Sequence, residues 1–240
     1  MKKINNQFSD KIKSNFFIDE KDISITSIQH INSITNDNLE LQEHLLNFLI
    51  IKLMDTSNPV GTTERYIFNK LKEIKNMRTK LDKIFPNGII SFRCYLDTAY
   101  KELNNMLKEQ KFKEADKITQ TYLIQLVQQN TNTKRKWLYF TDIYLIPAYD
   151  LFLIDLLWKV YSDNKFGFSI QRNIWLSCNK NWNLFLEKIN WNNKSIMKRY
   201  PDEFVWNRNA PKGHLPLFNQ IRGNQVFLSL LQHHVWIQYY

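Results

Sequence analysis

Only 5 glycines and 6 prolines punctuate the 240 residues of this chain, and that scarcity constrains its fold more than any other feature. β-Sandwiches and barrels need a tight turn every few residues, and Gly and Pro are the residues that make such turns. A soluble, mostly helical protein is therefore expected. With 43% hydrophobic and 14% aromatic residues the chain has material for real cores, which excludes disorder as its overall state. Its length allows one large or two small domains. The two cysteines, Cys94 and Cys178, exclude a disulfide scaffold and a four-ligand cysteine zinc site.

The formal net charge is +10. The chain is rich in Lys, Asn and Ile, whose codons are A/T-rich, so part of that charge reflects coding bias. Its distribution says more. Residues 1–90 carry 13 basic and 11 acidic groups, a net of +2, whereas residues 91–240 carry 20 and 12, a net of +8. All seven tryptophans lie between Trp137 and Trp236. Coding bias would act on both halves alike and does nothing for Trp. The second half therefore favours an anionic partner and holds the rigid rings, and function is expected there.

Several segments have a clear period. Residues 1–35 read as an arm or a weak first helix. Asp37 followed by Glu40 is a capping arrangement before Leu39, Leu45, Leu46, Leu49, Ile50 and Leu53. A second helix starts near Thr63, with Tyr66, Ile67, Leu71 and Ile74 on one face. Phe85-Pro86-Asn87-Gly88 is a turn and the expected domain boundary, giving an N-terminal helical bundle at 1–90 and a second domain at 91–240. Beyond it, Tyr95 to Leu107 and Phe112 to Leu126 read as a helical pair, with a polar loop over Gln128–Lys136. Ile143–Tyr161 is almost continuously apolar, but Pro147, Asp150 and Asp155 make a buried helix the better reading than a membrane span. Ser169 is expected to cap a short helix containing Trp175, and Asn181–Ile189 is helical in pattern. Trp191–Pro216 has no sustained period and reads as a long ordered loop, followed by a last helix from about Asn219 to Leu231.

No GxxxxGKS/T loop, GxGxxG fingerprint, HExxH or GxSxG occurs, so no catalytic residue and no enzyme activity are expected. The five histidines lack metal-ligand spacing, and no metal site is expected. One constellation remains. Lys165–Arg222 sets Phe166, Phe168, Trp175, Trp206 and Phe218 among Lys165, Arg172, Arg199, Arg208, Lys212 and Arg222. Flat rings with cations at the rim suit a base with its phosphates, as in a single-stranded nucleic-acid binder, or a porphyrin with its propionates. They also suit an ordinary aromatic core under a basic surface. The pattern alone leaves all three open, as well as a helical adaptor with no small ligand.

The segments FTDIYLIPAYDLFLIDLLWKVYSDNKFGFSIQRNIWLSC (Phe140–Cys178) and YPDEFVWNRNAPKGHLPLFNQIRG (Tyr200–Gly223), with KFKEADKITQTYLIQL (Lys111–Leu126) before them, resemble the Genomes-Uncoupled-Four family. That family comprises porphyrin-binding activators of magnesium chelatase in oxygenic phototrophs. The resemblance covers roughly residues 95–236, and residues 1–90 are similar to the small bundle that precedes this domain in algal and cyanobacterial members. Asn179 departs from the glycine that many members have after the Trp175 helix.

The resemblance implies a cupped, all-helical porphyrin-binding domain with long ordered loops. It would hold protoporphyrin IX or magnesium protoporphyrin IX and stimulate the chelatase through its large porphyrin-binding subunit, without chemistry of its own. Phe166 and Phe168 are then expected on one side of the cleft, and Trp206, Pro211 and Leu215 on the other. Arg222 is the first choice for a propionate clamp, with Arg172, Arg208 and Lys212 behind it. Gly213 serves the turn, and His214 is a candidate only, since a family accepting both metal-free and magnesium porphyrins needs no axial ligand. A monomer is expected, with no nucleic acid bound and with peripheral membrane association allowed. Met1 to Asn6 lacks the apolar core of a signal peptide, and acids come early. No leader is expected, which fits synthesis inside a plastid and action in its stroma, or a cyanobacterial cytoplasm.

Overall fold

The computed structural model describes residues 39–55, 59–131, 134–193, 196–218 and 224–240. The readings of residues 1–35 and of the Asp37 cap lie outside these. The fold is all-α, and the strands among the described residues are the short antiparallel pair β1 (Asn192–Asn193) and β2 (Ile196–Met197). The chain divides into two compact units, with the division between Ala99 and Tyr100.

The first unit contains α1 (Leu39–Met54), α2 (Thr62–Glu73), α3 (Lys75–Ile84) and α4 (Gly88–Ala99). The Leu45, Leu46, Leu49, Ile50 and Leu53 stripe of α1 is buried, as its spacing predicts, and α1 packs on α2 and α4. At the start of α2 the Glu64 carboxylate accepts the Gly61 N–H at 2.9 Å. Ile74 has an extended backbone, so the helical pattern past Glu73 restarts as a separate helix. The Phe85–Gly88 turn, expected as the domain boundary, instead joins α3 to α4 inside this unit. Phe85 fills its base, edge-on to Phe92 at 4.8 Å, and Gly88 takes the left-handed conformation (φ 82°) that glycine adopts without strain.

The second unit contains α5 (Lys101–Lys108), α6 (Phe112–Asn130), α7 (Ala148–Tyr161), α8 (Phe168–Ser177), α9 (Trp182–Lys188), α10 (Asn224–Leu231) and α11 (Val235–Gln238). The apolar run from Ile143 is split: a 3-10 turn at Asp142–Leu145 ends before Pro147, and α7 begins at Ala148. Every residue of α7 from Asp150 to Trp158 is buried. No helix among the described residues is long and apolar enough to cross a membrane. The two aspartates of α7 are held by hydrogen bonds. Asp150 accepts from the Tyr100 hydroxyl at 2.5 Å, and Asp155 from the Ser169 N–H at 2.8 Å and the Tyr240 hydroxyl at 2.5 Å. Trp158 stacks on Phe112 at 5.9 Å and donates to Thr119 at 2.9 Å, joining α7 to α6.

Two local readings are settled by the backbone. Ser169 does not cap α8: the cap position is Gly167 (φ 131°), and the backbone N–H of Ser169 is already given to Asp155. The turn after α8 forms without glycine, with Asn179 and Lys180 both left-handed (φ 51° and 60°); asparagine visits that region more readily than most residues. The last long helix is described over Asn224–Leu231, and the reading of its start near Asn219 lies outside the described residues. Asn181 caps α9 through the Leu184 N–H at 3.0 Å.

Candidate functional site

The stretch from Lys198 to Phe218 has no repeating secondary structure, so its backbone groups must find partners elsewhere. They find them on the core. Gly213 donates to the Lys165 carbonyl at 2.9 Å and Gly167 to the Leu215 carbonyl at 3.0 Å, which straps the stretch to the turn before α8. The buried amide of Gln171 donates to the Gly213 and Pro216 carbonyls at 3.0 and 2.8 Å. The Leu217 N–H ends on the carboxylate of Asp116 at 2.7 Å. Asp116 is fully buried, and burial pushes its carboxyl up to about 8 against the opposing hydrogen bonds from Leu217 and Gln120.

His214 sits at the centre of this arrangement with no exposed surface. Its Nδ1 lies 2.7 Å from the Ile189 carbonyl, and its Nε2 accepts the Val205 N–H at 3.1 Å. That pair of bonds defines a neutral ring with the proton on Nδ1, and burial lowers its pKa below the usual value. Both nitrogens are engaged, so the ring is a structural bridge with no lone pair to offer a metal. Its own carbonyl accepts from the Trp191 indole at 2.8 Å. Gly213 is left-handed (φ 78°), and a Cβ there would stand 2.6 Å from Ile174 Cδ1.

The other residues expected at a ligand divide clearly. Phe166, Phe168 and Leu215 are fully buried; Phe166 meets Phe112 edge-on at 5.3 Å and Phe168 meets Phe218 at 5.9 Å. These side chains pack the core. Arg208 uses its guanidinium as a latch, donating to Gln110 at 2.7 Å, to Asp163 at 2.6 Å and to the Tyr161 carbonyl at 2.8 Å. Arg172, half-buried, donates to the Leu231 carbonyl at the end of α10 at 3.1 Å. Trp206 and Pro211 are half-buried and Lys212 is exposed; the Trp206 indole donates to the Pro201 carbonyl at 2.9 Å and its ring lies edge-on to the exposed Tyr200 at 5.9 Å. Arg222 lies outside the described residues.

A second stretch, 134–147, behaves in the opposite way. Leu138, Ile143 and Ile146 are buried and anchor it, while Trp137, Tyr139, Phe140, Tyr144 and Leu145 are all exposed, Phe140 by 49% and Tyr144 by 54%. Exposed rings this close together in sequence make the segment a candidate binding face. The segment is held in shape from behind. Asp142 accepts the Tyr139 N–H at 2.8 Å and pairs with Arg135 at 3.1 Å, and the Arg135 guanidinium lies 4.3 Å from the centre of the Tyr139 ring. Gln128 donates to the Arg135 carbonyl at 2.9 Å, and Asn130 to the Leu145 carbonyl at 3.3 Å. The 3-10 turn packs against α10, the helix that follows Arg222 in sequence. Lys134 and Lys136 are exposed at its edge. The sequence reading took 128–136 as a polar loop and missed this face. The available signal was Lys134-Arg135-Lys136 running directly into Trp137, Tyr139 and Phe140, without a helical period to bury those rings.

A family model described as GUN4-like matches residues 95–234. The uncharacterized protein ycf53 of Pyropia yezoensis is 42% identical over 88% of this chain and 89% of its own length. The chloroplastic tetrapyrrole-binding protein of Arabidopsis thaliana is 38% identical over 57% of this chain and 54% of its own length. The ligand-free structure of Arabidopsis thaliana GUN4 superposes with a TM-score of 0.53 at 38% identity, covering 58% of this chain and 95% of that one. The exposed rings of 137–145 and the strapped loop of 198–218 both fall within the matched residues, and the chain belongs to the GUN4 family.

Proposed function

We propose that this chain binds a tetrapyrrole, protoporphyrin IX or its magnesium complex, on the exposed rings of residues 137–145. The observation that carries this reading is the outward set of Trp137, Tyr139, Phe140 and Tyr144 on a segment fixed by the Arg135–Asp142 pair. Flat rings offer a macrocycle stacking surface, and Lys134 and Lys136 at the edge suit its propionates. Trp206 and Lys212, which keep exposed surface in the other stretch, are proposed to contribute, as is Arg222, which follows that stretch in sequence. Arabidopsis supplies a relative whose name states tetrapyrrole binding in the chloroplast. Burying about 400 Å² of macrocycle is worth about 10 kcal/mol before ordering and association costs, which leaves room for micromolar or tighter binding.

The chain itself does no chemistry in this reading. It binds the porphyrin, keeps it from water, and stimulates magnesium chelatase by acting with that enzyme's large porphyrin-binding subunit, as a monomer in a plastid stroma. The engaged nitrogens of His214 support a site that holds the ring without an axial ligand from that residue. Titrating the protein with protoporphyrin IX tests the first step: a saturable Soret shift with quenched Trp emission is expected at micromolar levels. No saturable change, together with RNA binding that falls steeply with salt, would instead support a nucleic-acid binder. Adding the loaded protein to purified chelatase tests the second step, with faster magnesium insertion expected.

A further inference from the structure

Among the described residues of the second unit, Asp116, Asp142, Asp150 and Asp155 are buried acids. Asp142 pairs with Arg135, while Asp150 and Asp155 accept tyrosine hydroxyls. Asp116 is held differently, by two N–H groups alone. One carboxylate oxygen accepts from the Leu217 backbone at 2.7 Å, and the other from the Gln120 side chain one turn along α6 at 3.0 Å. Leu217 lies near the end of the strapped stretch, so a buried acid fastens that end to α6.

Little charge compensates it. Lys117, the next residue of α6, is exposed, and no ion pair to Asp116 forms among the described residues. Tyr200 faces it from the irregular stretch, where Glu114 adds further negative charge. From α5, Glu102 acts on Tyr122 instead, and Asp142 of the 3-10 turn is neutralised by Arg135. Both protonation states nevertheless fit the same backbone. The ionised carboxylate takes both N–H donors but bears the cost of a buried charge. The protonated acid keeps the Leu217 N–H on one oxygen, and its O–H finds an acceptor when the Gln120 amide turns over. The balance lies at about 8.

We propose that Asp116 and Gln120 form a pH-sensitive catch on residues 198–218, which holds Leu217 down when the acid is protonated and lets that end lift when it ionises. Lifting admits water to the carboxyl, which then ionises as an ordinary aspartate does, near 3.8. Each opening therefore releases one proton between those two values, so opening becomes about tenfold more frequent per pH unit and levels off above about 8. Trp206 and Lys212 belong to this stretch. An effect of the catch on tetrapyrrole affinity rests on the function proposed above, whereas the catch itself does not.

The test uses the whole chain labelled with ¹³C and ¹⁵N. Amide exchange is followed at Leu217 from about pH 6 to 9 and corrected for the intrinsic pH dependence of exchange, with Leu153, buried in α7, as the reference for opening of the whole unit. In the parent, Leu217 is expected to open more often than Leu153, and its protection to fall about tenfold per pH unit up to about pH 8. In Asp116→Asn, which keeps an acceptor for Leu217 and carries no charge, the protection of Leu217 is expected to stay level. The Asp116 carboxyl carbon, assigned by its loss in that variant, reports ionisation directly. Gln120→Met takes a hydrogen bond from the charged form and is expected to move that titration upward. Any one of four results overturns the proposal: Leu217 no more open than Leu153, protection in the parent that ignores pH, the same pH dependence in Asp116→Asn, or an Asp116 titration unmoved by Gln120→Met.

Discussion

Residues 134–147 and 198–218 look alike as sequence: both are irregular, ring-bearing and basic. Their structures are opposites. The later stretch turns its groups inward, with Gly213, Leu215 and Leu217 strapped to the core and His214 bridging Val205 to Ile189. The earlier one keeps its hydrogen bonds behind it, in Arg135, Asp142, Gln128 and Asn130, and leaves its rings outside. Aromatic content alone therefore does not show which rings are available to a ligand. What decides that is whether the backbone partners and the buried anchors leave the rings any surface.

The largest way to break this contrast is to force the strapped stretch off the core. Gly213→Ala adds a Cβ 2.6 Å from Ile174 and places it in a left-handed backbone. A loss of about 3 kcal/mol in urea unfolding is expected, the sum of backbone strain and overpacking. A stability change near zero would mean that this stretch is loosely held.

Next comes pH. The folded state holds the Asp116 proton up to about pH 8, whereas an ordinary aspartate loses it near 3.8. Asp116 therefore contributes full stability below about pH 4, and that contribution is lost as pH rises from there through 8. His214 and His233 work the other way. Burial lowers both, His233 to about 4, so their contribution is full above 6.5 and is lost as pH falls toward 4. Asp116→Asn keeps an acceptor for the Leu217 N–H and removes the buried charge. The variant is expected to melt higher than the parent at pH 8 and to lose stability only on the acid side. Identical melting curves for the two proteins at pH 8 would contradict the buried-charge account.

Smaller effects separate the latch from the rings. Arg208→Ala removes three hydrogen bonds, but the side chain is half-exposed, and a loss of about 1 kcal/mol is expected, screened by salt. Phe140→Ala and Tyr144→Ala are expected to move stability by less than about 0.5 kcal/mol each, because both rings lie on the surface. If either costs as much as Gly213→Ala, its ring is structural and the contrast fails.

Much of the fold was legible because it rests on period and punctuation. The Leu45 to Leu53 stripe, the continuous burial of Leu151 to Trp158, the helix after Asn181 and the turn at Gly213 all follow from residue type and spacing. The misplacements arise where a tertiary partner outweighs a local one. Ser169 resembles a cap, but its N–H is drawn to Asp155 from another helix. Phe85–Gly88 resembles a linker, but Phe85 finds Phe92 and closes a bundle. The candidate site was legible as a composition and not as a set of residues. Phe166, Phe168, His214 and Leu215 have the right chemistry for a porphyrin, yet only the fold reveals that partners inside the protein already occupy them. Tyr139, Phe140 and Tyr144 escaped because no period distinguishes an outward ring from an inward one in a loop.

The most direct test of the central claim is a protoporphyrin IX titration followed by the Soret band, with the parent and the Phe140→Ala/Tyr144→Ala double variant side by side. The parent is expected to saturate at micromolar levels. The double variant, still folded by its melting curve, is expected to bind at least about tenfold more weakly, as removal of two stacking rings predicts. Parent-like affinity in the double variant would contradict the account and place the tetrapyrrole elsewhere.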